Sequence, residues 1–161
     1  MKTISLSGLT LLLTLTLGLA SAPAQAELPY QGEGHLITHA ENLSWGPVAS
    51  MGEGAEIAVI EGAMSEPAPF TIRLRLADGY EIRPHVHPAY ERVTVLQGTV
   101  HFAHGETFDR AATTALRPGD LAIMAPGVPM FGYAEGESII QLHGEGPWGI
   151  EYLDPADDPR Q

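Results

Sequence analysis

Cysteine is absent from this 161-residue chain. That excludes disulfide bonds, a lipid-anchoring cysteine and a cysteine nucleophile, so stability has to come from packing or from a bound metal. Lysine occurs once, as Lys2, and every later fixed positive side chain is an arginine. Acidic residues outnumber basic ones by 20 to 8, giving a formal net charge of -12. Such a surface argues against nucleic acid and anionic lipid as partners, and it does not repel metal cations. The chain also lacks internal repeats, a second domain and any amphipathic run of helical length. No G-x-S-x-G elbow or phosphate-cradling glycine loop is present, and Gly52-Glu53-Gly54 has none of the context a nucleotide motif requires.

What is present begins with an address. Lys2 precedes an apolar stretch from Leu9 to Leu19, and Ala24-Gln25-Ala26 follows as an A-x-A cleavage site. Residues 1–26 therefore read as a secretory signal peptide, the alternative being an uncleaved anchor for which the apolar run is short. Its removal takes Lys2 with it and leaves a charge of about -13. The expected product is exported to the periplasm, free of the membrane after cleavage. It divides into an N-terminal arm (27–54), one β domain (55–153) and a polar tail (154–161). The arm is expected to cross a sheet edge or to exchange with a neighbouring subunit.

Short β-prone runs punctuated by Gly, Pro and Asp fill the domain: 56–61, 70–76, 90–96, 99–104, 113–116, 121–124, 128–133, 138–143 and 149–153. Phe70, Ile72, Leu74 and Leu76 alternate strictly with polar partners, the pattern of a half-buried strand. Turn signals fall at Asp78-Gly79, Gln97-Gly98, His104-Gly105, Pro118-Gly119-Asp120 and Glu135-Gly136. Many short strands at regular spacing predict an all-β antiparallel sandwich or barrel.

The chemistry concentrates at His85-Val86-His87-Pro88-Ala89-Tyr90-Glu91. Two histidines one residue apart share a face if the segment is extended, and a carboxylate just past Pro88 can swing back to the same point. Two imidazoles and one carboxylate on one face hold a divalent transition metal with positions left open. Glu91 shares parity with Val93 and Val95, which aims it at the interior. The full spacing, Gly79-x5-His85-x-His87-x3-Glu91-x6-Gly98, resembles the first motif of the cupin family. Pro118-Gly119-Asp120 and the Pro126-Gly127-Val128-Pro129 elbow are similar to that family's second motif, but Met130 stands where its histidine is expected. The resemblance spans residues 70–142. It implies a jelly roll, one divalent metal ion (iron, manganese, nickel, copper or zinc) and often a homodimer.

Met130 has three readings: a soft thioether ligand favouring copper, a filler beside a His85–His87–Glu91 triad, or the mark of a lost site. Retention of the other three residues argues against the last, since buried His and Glu without a partner are costly. Gln141 and His143 share a strand face with Ile139 and are expected to line a substrate pocket; for His143 the alternatives are replacement of the missing ligand and, more plainly, a hydrogen-bonded histidine at a sheet end. His101 and His104 occupy opposite faces of one strand. His35 and His39 lie in the arm, Trp148 reads as a core plug, and Arg73 and Arg75 face outward. The resemblance implies a metalloenzyme acting on a small organic molecule, with oxygen-dependent, dioxygenase-like chemistry slightly favoured. The other reading is a non-catalytic carrier of copper, manganese or a small ligand. A roomy apolar cavity above the metal would favour the enzyme.

Overall fold

A computed structural model describes residues 28–161, so the expected signal segment lies outside the described residues. The described chain is all-β, with nine strands and short 3-10 turns. In order they are β1 (Gly46–Pro47), β2 (Ala55–Glu61), β3 (Pro69–Leu76), β4 (Glu81–Val86), β5 (Glu91–His104), β6 (Thr114–Leu116), β7 (Leu121–Met124), β8 (Met130–Glu145) and β9 (Glu151–Tyr152). Every strand pair is antiparallel.

Two long strands, β5 and β8, organise the fold because each serves two layers. The C-terminal half of β8 pairs β3, from Pro69 opposite Glu145 to Leu76 opposite Ser138. Its N-terminal half pairs β4, with His85 opposite Met130. Strand β5 runs beside β8 throughout, adding β7 at its start and β6 at its end. One layer is thus β1-β2-β3-β8-β5-β7 and the other β9-β4-β8-β5-β6, joined where β5 and β8 bend. Between them packs the core: Phe70, Ile72, Leu74 and Leu76 of β3 meet Ile82, Val93, Val95, Val100, Ile140 and Leu142. The alternation of residues 70–76 is fulfilled, with those four side chains at most 5% exposed.

Two expected hairpin turns are not turns. Gln97-Gly98 lies inside β5 and Glu135-Gly136 inside β8, where the pairing register shifts around Gln97. Gly98 (φ +74°) and Gly136 (φ +73°) adopt the left-handed conformation that glycine tolerates. A Cβ on Gly98 would run into Ser138 Oγ and the Glu137 carbonyl, so the strands cross too closely there for any side chain. The glycine pair bends each strand from one layer into the other, as bulges do. The motif segment also forms a strand of its own, β4, absent from the expected set.

The arm and the tail both lie against the domain. Tyr30 bridges to Glu61, donating its N–H to the Ile60 carbonyl at 2.8 Å, and β1 pairs with β2. In the tail, Arg83 Nε donates to Asp157 Oδ1 at 3.1 Å.

Candidate metal centre

Strand β4 delivers the histidines because it is irregular. Its register with β8 shifts between Ile82 and His85, a bulge at Arg83-Pro84. Proline has no N–H to give a ladder and is at home at such a place. The shift lets Ile82 and His85 both face inward although they are three positions apart, and His87 follows on the same face two positions on. The chain then turns through Pro88 and Ala89 into β5, whose first residue is Glu91. His85, His87 and Glu91 are 2%, 4% and 5% exposed.

The hydrogen bonds fix the chemistry of both rings. His85 Nδ1 lies 2.7 Å from the Arg83 carbonyl and His87 Nδ1 lies 2.7 Å from the Gly149 carbonyl. A carbonyl only accepts, so both Nδ1 atoms carry the proton and both Nε2 atoms present lone pairs. Those Nε2 atoms sit 3.0 Å apart, and His87 Nε2 is 3.3 Å from Glu91 Oε2. Three electron-rich atoms therefore converge in a buried space, which is repulsive unless a cation sits among them.

A single proton answers this in part. Burial and the neighbouring His87 push the His85 pKa down to about 4, against an opposing pull from the Arg83 carbonyl. For His87, burial lowers the pKa, but the hydrogen bond and charge of Glu91 and the Gly149 carbonyl outweigh it and raise the value. His87 is thus the ring that takes a proton first, on Nε2, facing Glu91.

A divalent metal answers it more fully. With bonds of about 2.1 Å at right angles, neighbouring ligand atoms lie about 3.0 Å apart, which is the His85–His87 separation. The His87–Glu91 spacing is a few tenths of an ångström wider. Among the described residues no group of three or more His, Cys, Asp or Glu is placed to hold a metal ion as it stands. The donor set, its locked tautomers and the His85–His87 spacing nonetheless suit a metal held on one face, and the two carbonyls are the outer partners that metal-bound histidines ordinarily have.

The trio opens into a cavity of about 210 Å³. Met130, 2% exposed, forms part of its wall across the β4–β8 ladder from His85. Ile57, Ile72, Leu74, Ile140 and Leu142 make the wall mostly apolar. Trp148 stacks on His87, ring centres 4.6 Å apart and planes 17° from parallel, so the expected core plug also holds the His87 ring in place.

Gln141 and His143 are not in this cavity. The inward face of the C-terminal half of β8 is Ser138, Ile140 and Leu142. Gln141 instead accepts from Arg73 Nε at 3.1 Å on the outer face, and His143 is exposed opposite Thr71 and Arg92. The half-buried Ile139 on that outer face made the parity misleading. His101 also points away, stacked on Tyr133 and 2.8 Å from Glu135, while His35, His39 and His104 are exposed. The residues that sequence reasoning missed are the two carbonyls, whose contacts follow only from the folded path, and Arg160 of the tail, which reaches the cavity rim.

Residues 33–111 match a family model described as the ChrR cupin-like domain. The chain has the cupin fold. Among solved structures, an RmlC-like cupin from Shewanella frigidimarina shares 16% identity at a TM-score of 0.55, over 71% of this chain and 94% of its own. The polyketide cyclase RemF from Streptomyces resistomycificus shares 14% at a TM-score of 0.64, over 79% of this chain and 91% of its own. Salicylate 1,2-dioxygenase from Pseudoaminobacter salicylatoxidans, in complex with gentisate, shares 17% at a TM-score of 0.53, over 66% of this chain and 31% of its own. At these identities the likeness is one of fold. No curated protein matches the chain.

Proposed function

We propose that this cupin-fold chain is an exported, mononuclear metalloenzyme acting on a small organic molecule, with dioxygen-dependent chemistry favoured. The observation that carries the reading is the convergence of His85 Nε2, His87 Nε2 and Glu91, with both Nδ1 atoms committed to carbonyls. These three residues would hold one divalent ion. Bound there, such an ion supplies Lewis-acid polarisation or dioxygen activation at its open positions.

The chain's own residues do the rest. The Arg83 and Gly149 carbonyls hold the imidazoles in the ligating tautomer, and Trp148 keeps the His87 ring from rotating. Glu91 takes up the charge balance, and the aliphatic wall excludes water and receives the substrate's apolar part. An apolar cavity with a few convergent polar groups is the form of a small-molecule site. A dioxygenase and a polyketide cyclase among the structures of similar fold support a small-molecule reaction. The A-x-A site after residue 23 supports export to the periplasm, and the family resemblance supports a homodimer.

A copper carrier is the second reading, favoured by the buried Met130 beside His85. Metal content of the exported protein, purified without chelators or affinity histidines, separates the two. Near-stoichiometric iron, manganese or nickel supports the enzyme, and copper supports the carrier. No metal, with none taken up on reconstitution, overturns both. His87→Ala should abolish occupancy in either case.

A further inference from the structure

The cavity mouth is built in part by the end of the chain. Tyr152 donates its hydroxyl to the Ser50 carbonyl at 2.8 Å, Pro159 packs over Gly52, and Asp157 accepts from Arg83. These contacts bring Arg160 to the rim, where it is the one permanently cationic side chain among the lining residues described. Its guanidinium is preset: Nε donates to Asp158 Oδ1 and Nη2 to Asp158 Oδ2, both at 2.7 Å, and Nη2 reaches the Ile150 carbonyl at 3.3 Å. Nη1 has no partner among the described residues.

The wall also includes Trp148, whose ring stacks on His87. Arg160 thus borders a space lined mostly by apolar side chains, with Ser50 and the His85, His87 and Glu91 trio as its other polar groups. Its 210 Å³ compares with about 150 Å³ for a cavity that holds benzene, which limits the occupant to one ring or a short branched chain.

We propose that the cavity takes a small monocarboxylic acid with a compact apolar body, and that Arg160 selects its carboxylate. The inference deepens the small-molecule reading above and rests on it for the site. A chain of charge -12 repels anions at long range, so accepting an acid requires a dedicated local donor. Asp158 offsets part of the arginine's charge, which leaves recognition to charge-assisted hydrogen bonds from Nη1, the nitrogen left without a partner, and not to bulk attraction. The apolar body then lies against Ile72, Leu74 and Ile140. Specificity follows because an amide or alcohol of the same shape leaves the guanidinium with a weaker acceptor.

The test uses Trp148 as its own reporter. In a Trp45→Phe background Trp148 is the sole tryptophan, and its emission is titrated with benzoate against benzamide and with 3-methylbutanoate against its amide. Each titration is run on chelated and on metal-loaded protein. At least one acid should bind about tenfold more tightly than its amide, in the chelated protein as well. Arg160→Gln should remove that preference, and Arg160→Lys should keep part of it. Thermal midpoints of both variants that match the parent's separate a change in recognition from misfolding. A preference that appears only with metal and survives Arg160→Gln assigns the carboxylate to the metal and overturns the proposal. Failure of every acid to bind overturns it too. If the Arg160-dependent preference holds while no metal is ever taken up, the acid site stands and the metalloenzyme reading falls.

Discussion

At the scale of single residues, the site depends on which atom of each side chain is already committed. The two Nδ1 atoms are occupied by carbonyls, so the lone pairs left over define the centre. Met130 is the residue whose role this logic leaves to chemistry. Its thioether is a soft ligand, and Leu fills nearly the same volume without one. If Met130 ligates, Met130→Leu should weaken copper binding by tenfold or more, about 1.4 kcal/mol, while leaving manganese affinity nearly unchanged. Equal copper affinity, measured by competition titration, would make it a filler. His85, His87 and Glu91 were legible in the sequence because period-two alternation and a carboxylate past a proline specify one face. Gln141 and His143 were not, since an apolar Ile139 on the outer face mimics an inward pattern. Arg160 left no local signal at all, because its place depends on Pro159 meeting Gly52 across the fold.

Elements explain why single residues land where they do. Strand β4 would aim only one of Ile82 and His85 inward if it were regular, and the Arg83-Pro84 bulge admits both. Strands β5 and β8 would leave the domain as long flat ribbons without their glycine bends. The sequence marked these glycines correctly as conformational breaks, but a positive-φ glycine in a hairpin and one in a bulge look alike until the partner strand is known. What separates them here is Ser138, packed where a Cβ of residue 98 would lie. Gly98→Ala should therefore combine a left-handed backbone penalty with a steric clash and cost about 2–3 kcal/mol, read as a lower midpoint in urea. Gly79→Ala shares the positive φ, but its Cβ would meet nothing within 4 Å, and it should cost only about 1 kcal/mol. Equal losses at the two positions would refute the close-crossing account of the bend.

Over the whole molecule, the buried trio couples stability to pH in two opposite directions. His85 has a folded pKa near 4 against an ordinary 6.5. Between those values the unfolded chain binds the extra proton, so stability is complete above about pH 6.5 and falls as the pH drops toward 4. A shift of that size corresponds to at most about 3 kcal/mol. His87 has a raised folded pKa, so its contribution is complete below 6.5 and is lost as the pH rises through the raised value. The metal-free protein should accordingly be most stable near pH 6.5, losing stability through His85 below it and through His87 above it. Metal removes the need for the His87 proton, and the alkaline loss should disappear while the acid loss steepens as protons displace the ion. Thermal midpoints from pH 4.5 to 9, with and without a chelator, read both limbs. Comparison with His85→Gln isolates the acid limb from the many surface carboxylates, because the variant keeps their titration and loses only the ring's. A chelated native protein whose acid limb matches that of His85→Gln would mean that the ring is not held neutral. The convergence of lone pairs would then fail as the basis of the metal centre.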